Sequence, residues 1–166
     1  MKNSCIIKTC GTILINKKVE SVFDFFANPS NDNLWRKEIN KSTIHGTLQS
    51  GVTISEYSYL SKNAPNNLIE LICVQYDKYK VAVFETRDNG QFYLKSQRQT
   101  KAITVNTTEI KYNIDFDIDI VKFALGFALP KFIVSYKAKS DIKKYLIQLK
   151  KQLESINDNE TIIQNT

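Results

Sequence analysis

Among the 166 residues there is one histidine, there are three cysteines, and only three of the 23 basic residues are arginine. Each scarcity removes a class of chemistry. His45 precedes Gly46 with no Ser, Cys or carboxylate dyad visible around it. Nucleophilic triads need such spatial partners, so it reads as a turn or surface residue. Cys5, Cys10 and Cys73 form no CxxC pair and leave one odd, which fits a reducing cytoplasm rather than a disulfide framework. They read as small buried hydrophobes rather than ligands or redox thiols. Arg36, Arg87 and Arg98 are too few for the bidentate contacts of nucleic-acid recognition, which favour arginine. The net charge of +6 and pI near 9.1 therefore point to transient attraction toward an anionic membrane rather than to nucleic acid.

Other absences are as telling. There is no run of about 18 apolar residues, so no membrane-spanning helix is expected. The opening MKNSCIIKTCGTILINKK lacks a long apolar core and a small-residue cleavage site, which predicts a cytoplasmic protein. HExxH, P-loop, GxGxxG and GxSxG motifs are missing. No cofactor, metal or catalytic residue is assigned.

What is present is periodic. Residues 4–15 are rich in β-branched side chains and read as a first strand. Val19, Val22, Phe23 and Phe26 recur at helical spacing over 19–27. Asn28-Pro29 stops that helix. Ser30 then offers an N-cap for a second short helix carrying Leu34, Trp35 and Ile39. Strands follow at 41–48, 52–61, 68–76, 79–87, 91–103 and 107–120. Asp77-Lys78 forms a tight connection without glycine, and Asp88-Asn89-Gly90 is the clearest turn.

The last strand alternates strictly. Ile110, Tyr112, Ile114, Phe116, Ile118 and Ile120 fall on one face, and Glu109, Lys111, Asn113, Asp115, Asp117 and Asp119 on the other. The aspartates are read as solvent-facing rather than as metal ligands. Residues 121–129 are apolar and broken near Gly126. Phe123, Phe127 and Phe132 around that break read as core; the alternative is a mobile lid or a membrane-touching patch. Pro130 suits the first turn of a long helix over 130–156, with a stripe of Ile133, Tyr136, Ile142, Tyr145, Leu146, Leu149, Leu153 and Ile156. Its lysines, from Lys137 to Lys151, read as a solvated face. Residues 1–156 read as one domain and 157–166 as a polar, frayed tail.

The segments Val22-Phe23-Asp24-Phe25-Phe26, Asn28-Pro29 and Leu34-Trp35 resemble the opening of the helix-grip (SRPBCC) superfamily. That superfamily includes START-type lipid-transfer domains, the major birch pollen allergen and polyketide cyclase/dehydrase-like proteins. Thr108-Glu109-Ile110-Lys111-Tyr112 is similar to its threonine-led last strand, with Thr107 where glycine is often seen. Residues 146–154 (LIQLKKQLE) are similar to its terminal helix. The resemblance covers most of residues 4–156. It implies an α+β fold, in which a curved seven-stranded antiparallel sheet wraps a long C-terminal helix, with two short helices after strand one. It also implies an apolar cavity for a lipid, quinone or polyketide-like ligand.

Strand parity and the helix stripe give the expected cavity wall: Trp35, Tyr57, Tyr59, Phe92, Leu94, Tyr112, Ile114, Phe116, Ile133 and Tyr136. The inward face of the strand holding Tyr57 and Tyr59 is left undecided. Glu56, Glu70, Glu85 and Arg98 interrupt apolar runs, and any that points inward is a perturbed group. The expected function is binding and sequestration or transport of a hydrophobic or amphipathic small molecule. The alternatives are a cyclase- or dehydratase-like enzyme, with His45, Glu56, Glu85 and Arg98 the first residues to test, and a partner-binding module at a membrane surface.

Overall fold

The computed structural model describes residues 5–87 and 90–155. β-branched alternation produces seven strands: β1 (Ile6–Ile15), β2 (Ile39–Ile44), β3 (Thr53–Ser58), β4 (Asn67–Asp77), β5 (Val81–Thr86), β6 (Leu94–Thr104) and β7 (Thr107–Asp117). They form one antiparallel sheet in the order β1-β7-β6-β5-β4-β3-β2. Register shifts at Ile39/Lys41, Cys73/Gln75 and Ala102/Thr104 bend the strands, as bulges do, and the sheet curls around α3 (Lys131–Ser155). Among the described residues no helix is long and apolar enough to cross a membrane.

Between β1 and β2 lies α1 (Val19–Phe26), whose Val22, Phe23 and Phe26 are buried. The next piece differs from the sequence expectation. It is a 3-10 segment, Pro29–Leu34, capped by Asn28, whose side chain accepts from the Ser30 N–H at 3.0 Å. Pro29 at the first position moves the cap two residues ahead of Ser30. Ile39 is already the first residue of β2. Thr108 explains the threonine-led strand: its hydroxyl, fully buried, donates to the Lys17 carbonyl at 2.8 Å and ties β7 to the entry of α1.

Three further boundaries shift. The glycine-free β4–β5 turn closes with Tyr79 at φ 66°, a left-handed conformation that is rare for an aromatic residue. Phe92 precedes β6 rather than joining it. Strand β7 stops at Asp117, so Ile118 and Ile120 leave the alternation. Asp117 is buried, not wet: its Oδ1 accepts from the Asp119 N–H at 2.9 Å and starts α2 (Asp119–Leu125). Gly126 ends α2 at φ +81°, the left-handed cap that glycine adopts without strain. The Asp88-Asn89 part of the expected turn, Ile156 and the 157–166 tail lie outside the described residues.

Two apolar clusters form the core. One joins α3 (Ile142, Leu146, Leu149, Leu153) to Ile15, Ile110 and Tyr112 of the sheet and to Val22, Phe26 and Trp35. The other packs Phe23 and Ala27 on Ile54, Leu71, Cys73, Ala82 and Phe84. The buried α3 residues Val134, Ile142, Leu146, Leu149 and Leu153, with Ala138 between the first two, step by three or four. The stripe therefore begins at Val134. Tyr136 sits two residues, about 200° of rotation, from Val134 and is 79% exposed. Gly11, directly across from Tyr112, lets α3 come close: a Cβ there would lie 2.6 Å from Ile142 Cγ2.

Candidate ligand site

The centre of the grip is filled by an ion network rather than left hollow. Asn28-Pro29 and the 3-10 turn carry Asp32 inward, where it is fully buried. Arg98 of β6 meets it bidentately, Nη1 to Oδ1 at 2.8 Å and Nη2 to Oδ2 at 2.6 Å, and Nη1 also donates to the Phe26 carbonyl at 2.8 Å. Arg36 Nη1 donates to Asp32 Oδ2 at 3.2 Å and to Glu56 Oε2 at 3.1 Å, while its Nε donates to Glu38 Oε1 at 3.0 Å. Planar guanidinium forks suit such paired contacts. Phe84, Trp35 and Phe26 present ring centroids 5.0, 5.7 and 5.8 Å from the Arg98 guanidinium. Burial pushes the Glu56 carboxyl up, and Arg36 opposes that shift.

Open space lies at one end of this plug, where α2 and the start of α3 approach the end of β7. A cavity of about 500 Å³ is lined by apolar residues, among them Leu60, Phe116, Val121, Leu129, Ile133 and Ala138, together with Lys137 and Asp141. Ser61 donates its hydroxyl to the Ala124 carbonyl and pins the end of α2 over it. A smaller space of about 190 Å³ adjoins it, sharing Leu60, Phe116, Ala138 and Asp141. Its lining adds Thr9, Glu38, Ile114, Ile142 and Tyr145. The outer part is thus apolar and the inner part carries oxygen atoms. Burial, and then the adjacent Glu38 carboxylate, push the Tyr145 phenol pKa up, so Tyr145 keeps its proton.

The expected wall residues separate into groups. Phe116 and Ile133 line the larger space, and Ile114 and Phe116 the smaller. Trp35 and Tyr112 are buried with ring centroids 5.3 Å apart; they plug the centre instead of roofing an entrance. Leu94 packs on the second core cluster. Phe92 lies 5.4 Å from Phe123, centroid to centroid, beside a separate groove at the start of β4. Tyr57 projects outward, because Ile54, Glu56 and Ser58 take the inner parity of β3, and Tyr59 beyond the strand is also exposed. Tyr136 faces away from the sheet. Leu60, Ala138, Asp141 and Glu38 also line these spaces and lie outside the expected wall. Only the α3 phase, counted from Val134 through Ile142, would have revealed Ala138 and set Asp141 beside it.

Of the four interrupting charges, Glu56 and Arg98 point inward and both are held in ion pairs. Glu85 pairs with Lys95 at 2.5 Å, and Glu70 is exposed. His45 Nε2 lies 2.7 Å from Ser55 Oγ, which donates to Glu70 Oε1 at 2.7 Å. Serine stands between the other two, so the imidazole is not set between nucleophile and carboxylate as a triad demands. Cys73 is buried, but Cys10 is exposed, since odd and even positions of β1 face opposite sides. Phe123, Phe127 and Phe132 are 43%, 58% and 74% exposed rather than core. Val121, Ala124 and Leu129 take the cavity side of that segment instead.

No family model and no curated protein matches the sequence. Solved structures do resemble it. A START superfamily protein from Mycobacterium smegmatis superposes with a TM-score of 0.72 at 10% identity, over 90% of this chain and 99% of that one. The Zhui aromatase/cyclase from Streptomyces sp. R1128 gives 0.69 at 11% identity, over 90% and 94%. Truncated norcoclaurine synthase from Thalictrum flavum gives 0.61 at 8% identity, over 95% and 99%. With its seven-stranded antiparallel sheet, two short helical segments after β1 and long C-terminal helix, this chain has the START-type helix-grip fold.

Proposed function

We propose that the protein binds a hydrophobic or amphipathic small molecule in the space between α2, α3 and the end of β7. The carrying observation is the roughly 500 Å³ cavity with an almost wholly apolar wall. That volume falls in the range of small-molecule sites, about 300–1,000 Å³. Burying a ligand's apolar surface there is favourable by about 25 cal/mol per Å². In this reading segment 119–129 roofs the space and gates entry, with Gly126 breaking it at the left-handed cap of α2. The fold is shared with an aromatase/cyclase and a norcoclaurine synthase. The residues first considered for an enzyme do not favour that role here. His45 and Glu85 lie off the cavity, and Glu56 and Arg98 are committed to the ion network. Binding is therefore the leading reading.

Thermal unfolding tests it. An amphiphile present at 100 times its Kd stabilises the folded state by about 2.7 kcal/mol, which raises Tm by on the order of 5–10 °C. A panel of C8–C14 amphiphiles with different heads that leaves Tm unchanged throughout contradicts the proposal.

A specific surface feature supports a second reading, loading from an anionic membrane. Phe127, Phe132 and Tyr136 are exposed beside the cavity mouth, and Lys131 and Lys139 share one patch with Phe132 and Tyr136. Aromatics flanked by lysine suit a lipid headgroup surface, where each basic residue contributes about 1 kcal/mol. The expected result is co-sedimentation with phosphatidylserine vesicles that weakens with salt and falls in Phe132→Ser. Equal binding to neutral vesicles, or none to either, removes this reading.

A further inference from the structure

We propose that the inner end of the cavity recognises the protonated amine of an amphipathic ligand, an inference that rests on the binding function above. Thr9 Oγ1 and Asp141 Oδ1 are buried with no hydrogen-bond partner among the described residues, and Glu38 has only the neighbouring Tyr145 phenol to share its second oxygen with; all three residues line the smaller space. They come from separate elements: Thr9 from β1, Glu38 from the connection before β2, Asp141 from α3. Thr9 is 7% exposed. Buried polar atoms left without a partner are costly and rare in folded proteins, so two of them beside one cavity, next to the Glu38 carboxylate, point to an occupant.

The chemistry of that occupant follows from the atoms. In both carboxylates the other oxygen is already held, Glu38 Oε1 by Arg36 Nε and Asp141 Oδ2 by Lys137 Nζ. Each is thereby oriented with one oxygen left over. A primary ammonium carries three N–H donors and no acceptor, which matches three oxygen acceptors. A carboxylate head meets two like charges. A ketone or quinone finds only the Thr9 and Tyr145 hydroxyls as donors.

Charge balance agrees. The buried set of Asp32, Glu38 and Glu56 holds one carboxylate more than its two cations, Arg36 and Arg98, while the separate Lys137–Asp141 pair is balanced. A cation on the ligand would balance that excess. Tyr145 adds an aromatic ring to the same lining, a surface that attracts cations.

The test compares decylamine, decanol and decanoate by titration calorimetry at pH 7, each below its micelle concentration. Decylamine is expected to bind about tenfold or more tightly than decanol, given charge-assisted hydrogen bonds, and decanoate more weakly than either. Asp141→Asn, and independently Thr9→Val, should reduce the amine-to-alcohol ratio severalfold. Three ligands of equal affinity, or an unchanged ratio in both variants, overturns the amine assignment while leaving the apolar cavity standing. Binding of none overturns both.

Discussion

Replacing Arg98 by methionine is expected to lower the free energy of unfolding by about 3–5 kcal/mol, the loss typical when one partner of a buried pair is removed. The size follows from what remains. Asp32 is fully buried and takes two of its short bonds from Arg98, at 2.8 and 2.6 Å, leaving only the 3.2 Å contact from Arg36 among its side-chain ion pairs. The Phe26 carbonyl, at the end of α1, loses its donor as well. Global stability of a domain is about 5–15 kcal/mol, so the variant stands close to unfolding. Urea denaturation with an unchanged m-value and a lowered midpoint checks the prediction. Adding Asp32→Asn to Arg98→Met should cost less than the two single changes summed, because both act on one contact. A loss below about 1 kcal/mol, the worth of an exposed ion pair, would show that the network is not buried as described.

Ala138→Phe is expected to weaken ligand binding by on the order of 100-fold while the protein stays folded. Ala138 lies on the inner face of α3 and borders both the larger and the smaller space. A benzyl group there occupies the passage between the apolar wall and the oxygen-lined end. Overpacking a closed core costs about 1–3 kcal/mol, but here the added ring enters open volume, so the stability change should be smaller than that. Binding loss on this scale is about 2.7 kcal/mol, comparable to the apolar burial it replaces.

How far the sequence could be read depends on which physical signal each residue carries. Strand alternation at Ile110 and Tyr112 and helical spacing at Val22, Phe23 and Phe26 announce burial directly, and the structure buries all five. Hydropathy signals fail where charge is buried in pairs. Arg98 sits between Ser96 and Thr100 on its face of β6, so its nearest neighbours there are polar and only Leu94, at the start of the strand, marks that face as internal. Its role depends on register, which sets Arg98 opposite Tyr112, and on Asp32, 66 residues away. Neither is local.

The α3 stripe holds from Ile142 to Leu153 and departs from expectation only in the first turn, for a different reason. Ile133 and Tyr136 are larger than Val134 and Ala138 and dominate the apolar pattern, yet the smaller pair faces the sheet. Near the cavity, small residues take the inner positions and leave the space open. The aromatics around Gly126 follow the same logic in reverse, exposed because Val121, Ala124 and Leu129 occupy the inner side. Of the expected wall, Ile114, Phe116 and Ile133 border these spaces, and small and aliphatic residues make up most of the rest of the lining.

Native mass spectrometry of the protein with an equimolar set of C10 amphiphiles, run beside Ala138→Phe, tests the central claim most directly. A single 1:1 adduct on the unmodified protein, absent from Ala138→Phe and removed by organic extraction, is the predicted result. No adduct, or the same ladder of adducts on both proteins, would show that the apolar space does not act as a binding site.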